Sequence, residues 1–195
     1  MKRQVSRKVL IQILLMGAVL YTLPACKSEY EKRVEQELAS GERYDSLFLG
    51  INFGMTSEEF YKHCWELNKE GLLVEGNQNT TVQYNIDDFK QPAEFNFYPD
   101  FYEDKIFQMP TTFSYKAYAP WNKALSADSL QVEVLALMQK WYGEDFIKVE
   151  SKDRGIAYVR VDGNRRITIY KADETDIHVL YTDITVENVL KTMKK

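Results

Sequence analysis

The chain reads as an α+β protein, with helices packed on a mostly antiparallel sheet, and three observations predict this. Two segments carry apolar residues at helical spacing behind capping signals, one opening at Thr56 and one at Ser126 or Asp128. Each is followed by short β runs separated by turn residues. The order is therefore helix then meander, twice, over 47–118 and 122–195, rather than the alternation of a βαβ fold. The two halves show no residue-level repeat, so any kinship between them is topological.

The first 25 residues stand apart. Lys2, Arg3, Arg7 and Lys8 precede an apolar run from Val9 to Leu23. That run is shorter than the roughly 20 residues a membrane-spanning helix needs. A basic start, a short apolar stretch and small residues before a cysteine form the pattern of an export signal. Leu23-Pro24-Ala25-Cys26 resembles the lipobox of bacterial lipoproteins. The resemblance implies cleavage before Cys26, acyl chains on Cys26, and an anchor that holds the N-terminus to a membrane. No Asp follows the cysteine, which in such lipoproteins implies the outer membrane. Glu29 and Glu31 partly match the acidic residues that direct some Bacteroidetes lipoproteins to the cell surface, so the periplasmic and surface faces stay open.

Removing the leader takes the chain from 195 to about 170 residues, and its net charge from −4 to about −8. That size suits one core or two lobes sharing one. That charge speaks against nucleic acid as a partner.

Ser28 to Ser40 reads as a charged helix. Ser28 and Glu31 have capping-box spacing, and Gly41 supplies a stop. Tyr30, Val34 and Leu38 form one thin apolar stripe. The region 26–46 is read as a spacer, with a stand-off of about 18 Å for twelve helical residues. Its alternative is a stripe docked on the folded body or on a partner.

The folded part, 47–195, begins with Leu47–Phe53, read as a strand closed by Gly54. A helix follows, capped by Thr56 and Glu59, with Phe60, Cys64 and Leu67 on one face and Tyr61 and Trp65 alongside. Strands are predicted at Leu72–Val74, Thr81–Ile86, Glu94–Tyr98, Lys105–Phe107 and Thr112–Tyr118. The second helix carries Leu130, Val134, Leu137, Met138 and Trp141 on its stripe and ends at Gly143. Strands at Ile147–Glu150, Ile156–Val161, Ile167–Lys171 and Ile177–Tyr181 follow, with a tight turn at Asp162-Gly163-Asn164. Val186, Val189 and Leu190 predict a short last helix.

Gly54-Met55-Thr56-Ser57-Glu58-Glu59-Phe60 is similar to the strand-to-helix opening of the SmpA/OmlA-type outer-membrane lipoproteins and of the β-lactamase-inhibitor-protein-like repeat fold. The resemblance covers about fifteen residues and the helix-then-strands order, and capping physics explains much of it. It implies a non-catalytic module that binds another protein, and it transfers no site residue.

The chemistry-bearing residues are sparse. His63 and Cys64 are neighbours on a predicted helix, so they do not face each other. Cys64 lies on the apolar face, where a thiol behaves as a small hydrophobe. His178 sits alone on the polar side of a strand. Asp100, Glu103 and Asp104 share a turn, as do Asp173, Glu174 and Asp176, and neither group has a calcium-loop pattern. No nucleophile elbow, phosphate loop or dinucleotide fingerprint occurs. The expectation is no catalytic residue, no metal and no cofactor.

Aromatic density remains. Ten aromatics fall between Phe95 and Trp121. Strand alternation buries Phe95, Phe97 and Phe113 and leaves Tyr98, Tyr102, Tyr118 and Trp121 as the exposed set. Exposed Tyr and Trp suit a protein interface, and they also stack on sugars. The sequence thus predicts a membrane-anchored, protein-binding accessory module of the cell envelope. A glycan-binding surface lipoprotein is the alternative, and a hydrolase with an unread carboxylate pair comes third.

Overall fold

A computed structural model describes residues 27–76, 80–117, 119, 121–152 and 155–193. Cys26 and Tyr118 lie outside the described residues. Among those described, four helices accompany one antiparallel sheet of nine strands, an α+β fold.

The elements are α1 (Glu29–Ser40), α2 (Ser57–Lys69), β1 (Leu73–Glu75), β2 (Val82–Ile86), β3 (Ala93–Phe97), β4 (Asp100–Tyr102) and β5 (Lys105–Tyr115). They continue with α3 (Ala127–Tyr142), β6 (Ile147–Ser151), β7 (Gly155–Asp162), β8 (Arg165–Lys171), β9 (Asp176–Asp183) and α4 (Ile184–Met193). The strands are ordered β1-β2-β3-β5-β9-β8-β7-β6, with β4 paired to β5 alone. Each half is a meander, and the last strand of one half pairs with the last strand of the other, Phe113 opposite Ile177. The halves 47–118 and 122–195 therefore share one sheet and one core.

One face of the sheet holds that core. Phe95, Phe97, Phe113, Ile167, Ile169, Ile177, Val179 and Tyr181 are all buried on it. Helix α3 lies across it with Leu130, Val134, Leu137 and Met138 inward, the spacing its sequence predicts. Phe95 stacks on Phe113 with centroids 4.4 Å apart and planes at 9°. Such a pair adds about 0.5–1.5 kcal/mol to the burial of its area.

Capping follows the sequence closely. Ser28 with Glu31 and Thr56 with Glu59 both form complete capping boxes, and Ser126 caps α3. Most strand limits differ from their predicted positions by one or two residues, within the usual spread of element ends.

Three elements differ from expectation. Leu47–Phe53 is not a strand. Leu47 N–H donates to the Ile51 carbonyl and Ile51 N–H to the Phe48 carbonyl, so the chain doubles back. Leu49 and Gly50 take left-handed φ of 52° and 76° at the bend. The run is apolar because Leu47, Phe48, Ile51 and Phe53 all enter the core, and an unbroken apolar run carries no period to identify it. Secondly, the two strands predicted at 105–107 and 112–118 are one, β5, with Pro110 inside it. The Pro110 carbonyl accepts from Tyr98 N–H, so its ring nitrogen faces the gap between the end of β3 and the start of β4, where no donor is needed. Thirdly, Asp100–Tyr102 is a strand, β4. Glu103 and Asp104, with φ of 49° and 57°, form the two-residue turn that returns it to β5.

Helix α1 is not a free-standing spacer. Tyr30, Val34 and Leu38 pack on Val159, Val161 and Ile184, a small cluster on the face of the sheet opposite the main core. Tyr30 accepts from Arg166 at 3.2 Å, Arg33 pairs with Asp145, and Glu37 accepts from Gly163 N–H at 2.9 Å. The docked alternative is the one the fold adopts.

Candidate functional site

An exposed aromatic surface begins on α2. Its inner face places Phe60 in the core, with Cys64 and Leu67 packed against it. Tyr61 and Trp65 lie about 100° round the helix and remain 51% and 60% exposed. They sit at i and i+4, so they are neighbours on one outer stripe. Lys69, four residues on, holds its ammonium 5.5 Å from the Trp65 ring.

Tyr98 completes the surface. Phe97 is buried at the end of β3, and alternation turns Tyr98 outward. Its ring meets Phe60 edge-on at 6.2 Å, and its hydroxyl lies 2.5 Å from that of Tyr61. The hydrogen bond with Tyr61 and, after it, burial raise the Tyr98 hydroxyl above its ordinary pKa. Leu72 and Val74, each 41% exposed, belong to the same end of the sheet, at edge strand β1.

The predicted residues separate on this frame. Tyr98 joins Tyr61 and Trp65. Tyr102 is half-buried, its hydroxyl 3.7 Å from the Met193 sulfur of α4. Trp121 is 87% exposed, but it lies past the far end of β5. Tyr98 lies opposite Pro110, five residues or about 17 Å of strand before that end. The predicted set is thus spread over more than one surface. Tyr61 and Trp65 were legible as an i, i+4 pair beside the buried stripe, yet nothing local showed that Tyr98 would reach them.

Several concavities flank α3, two of them with aromatic walls. One, of ≈ 410 Å³, lies between the helix and the loop after β2. Phe89, Val132, Ala136 and Leu137 line it, with Asp88, Lys90, Glu133 and Lys140 as its charged residues. Lys140 and Asp88 pair across it at 2.5 Å. The other, of ≈ 390 Å³, is lined by Leu47, Phe48, Leu49, Tyr84, Trp141 and Tyr142. Burial pushes the Tyr142 hydroxyl up to about 12, and it donates to the Leu47 carbonyl at 3.0 Å.

The titratable groups are mostly engaged in structure. His63 Nε2 lies 2.6 Å from the Leu49 carbonyl and donates to it, bracing the turn. Burial pushes the Cys64 thiol up to about 11, away from nucleophilic range. His178 Nδ1 meets the Tyr170 hydroxyl at 3.3 Å. Among the described residues no three His, Cys, Asp or Glu side chains converge as metal ligands, and no helix is long and apolar enough to cross a membrane.

A buried polar junction ties the N-terminal segment to the sheet. Asn164, 1% exposed, donates to Asp45 and to Asp183, each at 3.0 Å, and accepts from Tyr44 N–H at 2.6 Å. Asp183 also takes Thr185 N–H at 3.0 Å, capping α4, and Arg43 at 2.9 Å. Burial pushes the Asp183 carboxyl up, but hydrogen bonds from Thr185, Asn164 and Arg43 outweigh this and hold it below its ordinary value. Arg165 reaches the Ser46 carbonyl at 2.6 Å and lies 4.8 Å from the Tyr142 ring.

The chain matches no known protein family, no curated protein and no solved structure.

Proposed function

We propose that this protein is a membrane-anchored accessory module of a bacterial cell envelope, held by lipid on Cys26, that binds another envelope protein without catalysing a reaction. One observation carries the reading: Tyr61 and Trp65 form an exposed aromatic stripe on a helix whose other face is locked in the core, and Tyr98, just past β3, joins it. Aromatic residues with few rotatable bonds, mounted on a rigid element, lose little entropy when covered, and such residues dominate protein interfaces. The lipobox-like Cys26 and the export leader support an outer-membrane location.

In-cell crosslinking of a tagged protein, read by mass spectrometry, tests this. The expected result is one defined envelope partner, lost in Trp65→Ala and in Cys26→Ala while the domain keeps its circular dichroism spectrum. A partner set unchanged by Trp65→Ala overturns the assignment of the surface. Substrate turnover by the purified domain overturns the non-catalytic reading.

A second reading rests on Trp121, whose 87% exposure suits stacking on a sugar ring. Retardation in a polysaccharide gel that disappears in Trp121→Ala supports it. Migration unaffected by any glycan removes it.

A further inference from the structure

The lipid anchor and the docked helix together have a mechanical consequence. Cys26 precedes the cap residue Ser28 by two residues, a reach of at most about 7 Å. Had α1 stood free, its twelve residues would set the body off by about 18 Å and let it swing. Instead α1 is bound along its length. Tyr30 holds Arg166, which also pairs with Glu187 of α4 at 3.0 Å. Arg33 holds Asp145, in the loop before β6, and Glu37 holds the β7–β8 turn. Val34 and Leu38 fill the space between.

We infer that α1 is a rigid mount rather than a tether, and that it seats the β6–β7 end of the domain against the bilayer surface that receives the acyl chains of Cys26. This rests on the lipid anchor proposed above. The occupant of this end is therefore a lipid surface, and the short chain between Cys26 and Ser28 is the reason. The stripe of Tyr61, Trp65 and Tyr98 belongs to the opposite end. Tyr98 follows β3, four strand spacings or about 19 Å from β7, and α2 continues from there to contact β1 at the far edge. The mount thus holds the aromatic surface away from the lipid, where a protein partner has access to it.

The test uses the full-length, membrane-processed protein in phosphatidylethanolamine and phosphatidylglycerol vesicles that carry a headgroup nitroxide lipid. A single fluorophore is placed at Glu144→Cys or at Glu75→Cys in a Cys64→Ser background. Glu144 adjoins the Arg33 contact, whereas Glu75 ends β1, and both are exposed. The expected result is quenching at position 144 and none at 75. Inserting a flexible Gly/Ser linker of about ten residues between Lys27 and Ser28 should abolish the quenching at 144. Val34→Glu, which undocks the helix, should do the same, and the linker form serves if that variant fails to fold.

Mass spectrometry of the N-terminal peptide separates the two layers of the inference. An unacylated N-terminus overturns the anchor and the mount with it. Acylated protein with equal quenching at 144 and 75, or with quenching indifferent to the linker, leaves the anchor standing and overturns the mount.

Discussion

The two ends of the sheet are finished in opposite ways. At the β6–β7 end, α1 covers the sheet, and a buried polar junction of Asn164, Asp45 and Asp183 fastens the segment that leads out of it. At the β1 end the last strand has three residues, and the helix beside it turns Tyr61 and Trp65 to solvent. One end spends its aromatic and charged groups on internal contacts. The other turns aromatic rings to solvent, which is where affinity for a partner is available. Short edge strands also resist unwanted pairing, so an exposed β1 end is tolerable in a free protein.

Breaking the fastened end should have the largest effect. Asp183→Ala removes the cap of α4 and leaves Asn164 without one of its buried acceptors. A loss of about 3 kcal/mol in urea unfolding is expected. Arg43 adds little to this, since it is 53% exposed and water screens the pair. The same carboxyl makes the junction acid-sensitive. Its pKa is depressed in the folded state, so its contribution is complete above about pH 4, the unfolded value, and disappears as pH falls through the folded one. The stability gap between the native protein and Asp183→Asn should therefore close in acid. A gap that stays constant with pH would show that the charge is not what holds the junction.

Gly163→Ala comes next. The added Cβ would stand 2.2 Å from the Glu42 carbonyl oxygen, at a φ of 50°. Backbone must move, and a cost of about 2 kcal/mol is expected, with faster amide exchange in α1. Val34→Ala should cost about 1 kcal/mol, since it trims a half-buried side chain on a small cluster. Its exchange signature should be confined to α1, because this cluster is separate from the main core.

The exposed end should respond least in stability and most in binding. Trp65→Ala and Tyr61→Phe are expected to change unfolding by less than about 0.5 kcal/mol. Loss of the crosslinked partner in Trp65→Ala at unchanged stability would sharpen the contrast between the ends. A large loss of stability instead would mean that the stripe is part of the core.

Local chemistry made much of this legible. The stripe of α3 and the capping boxes of α1 and α2 follow from spacing over a few residues, and the structure repeats them. The Leu47–Phe53 run was not legible, because a turn buried on all sides and a buried strand have the same composition. The single strand β5 reads as two in the sequence, because no local pattern shows that Pro110 can sit inside it, where a missing N–H costs nothing beside the end of β3. The candidate surface was half legible. Tyr98 could be assigned outward by alternation, but its meeting with Tyr61 spans 37 residues. Trp121 and Tyr98 both reach solvent, but Trp121 lies past the end of β5.

By itself the sequence determined the α+β class, the helix caps and the apolar faces. These are short-range matters of periodicity, backbone conformation and residue type. Only the tertiary structure decided that β5 and β9 join the halves into one sheet, that α1 is seated rather than free, and that Tyr98 belongs with Tyr61 and Trp65. Each of these is a long-range contact, settled by which surfaces become adjacent once the whole chain has buried its apolar residues, and no window of neighbouring residues contains that information.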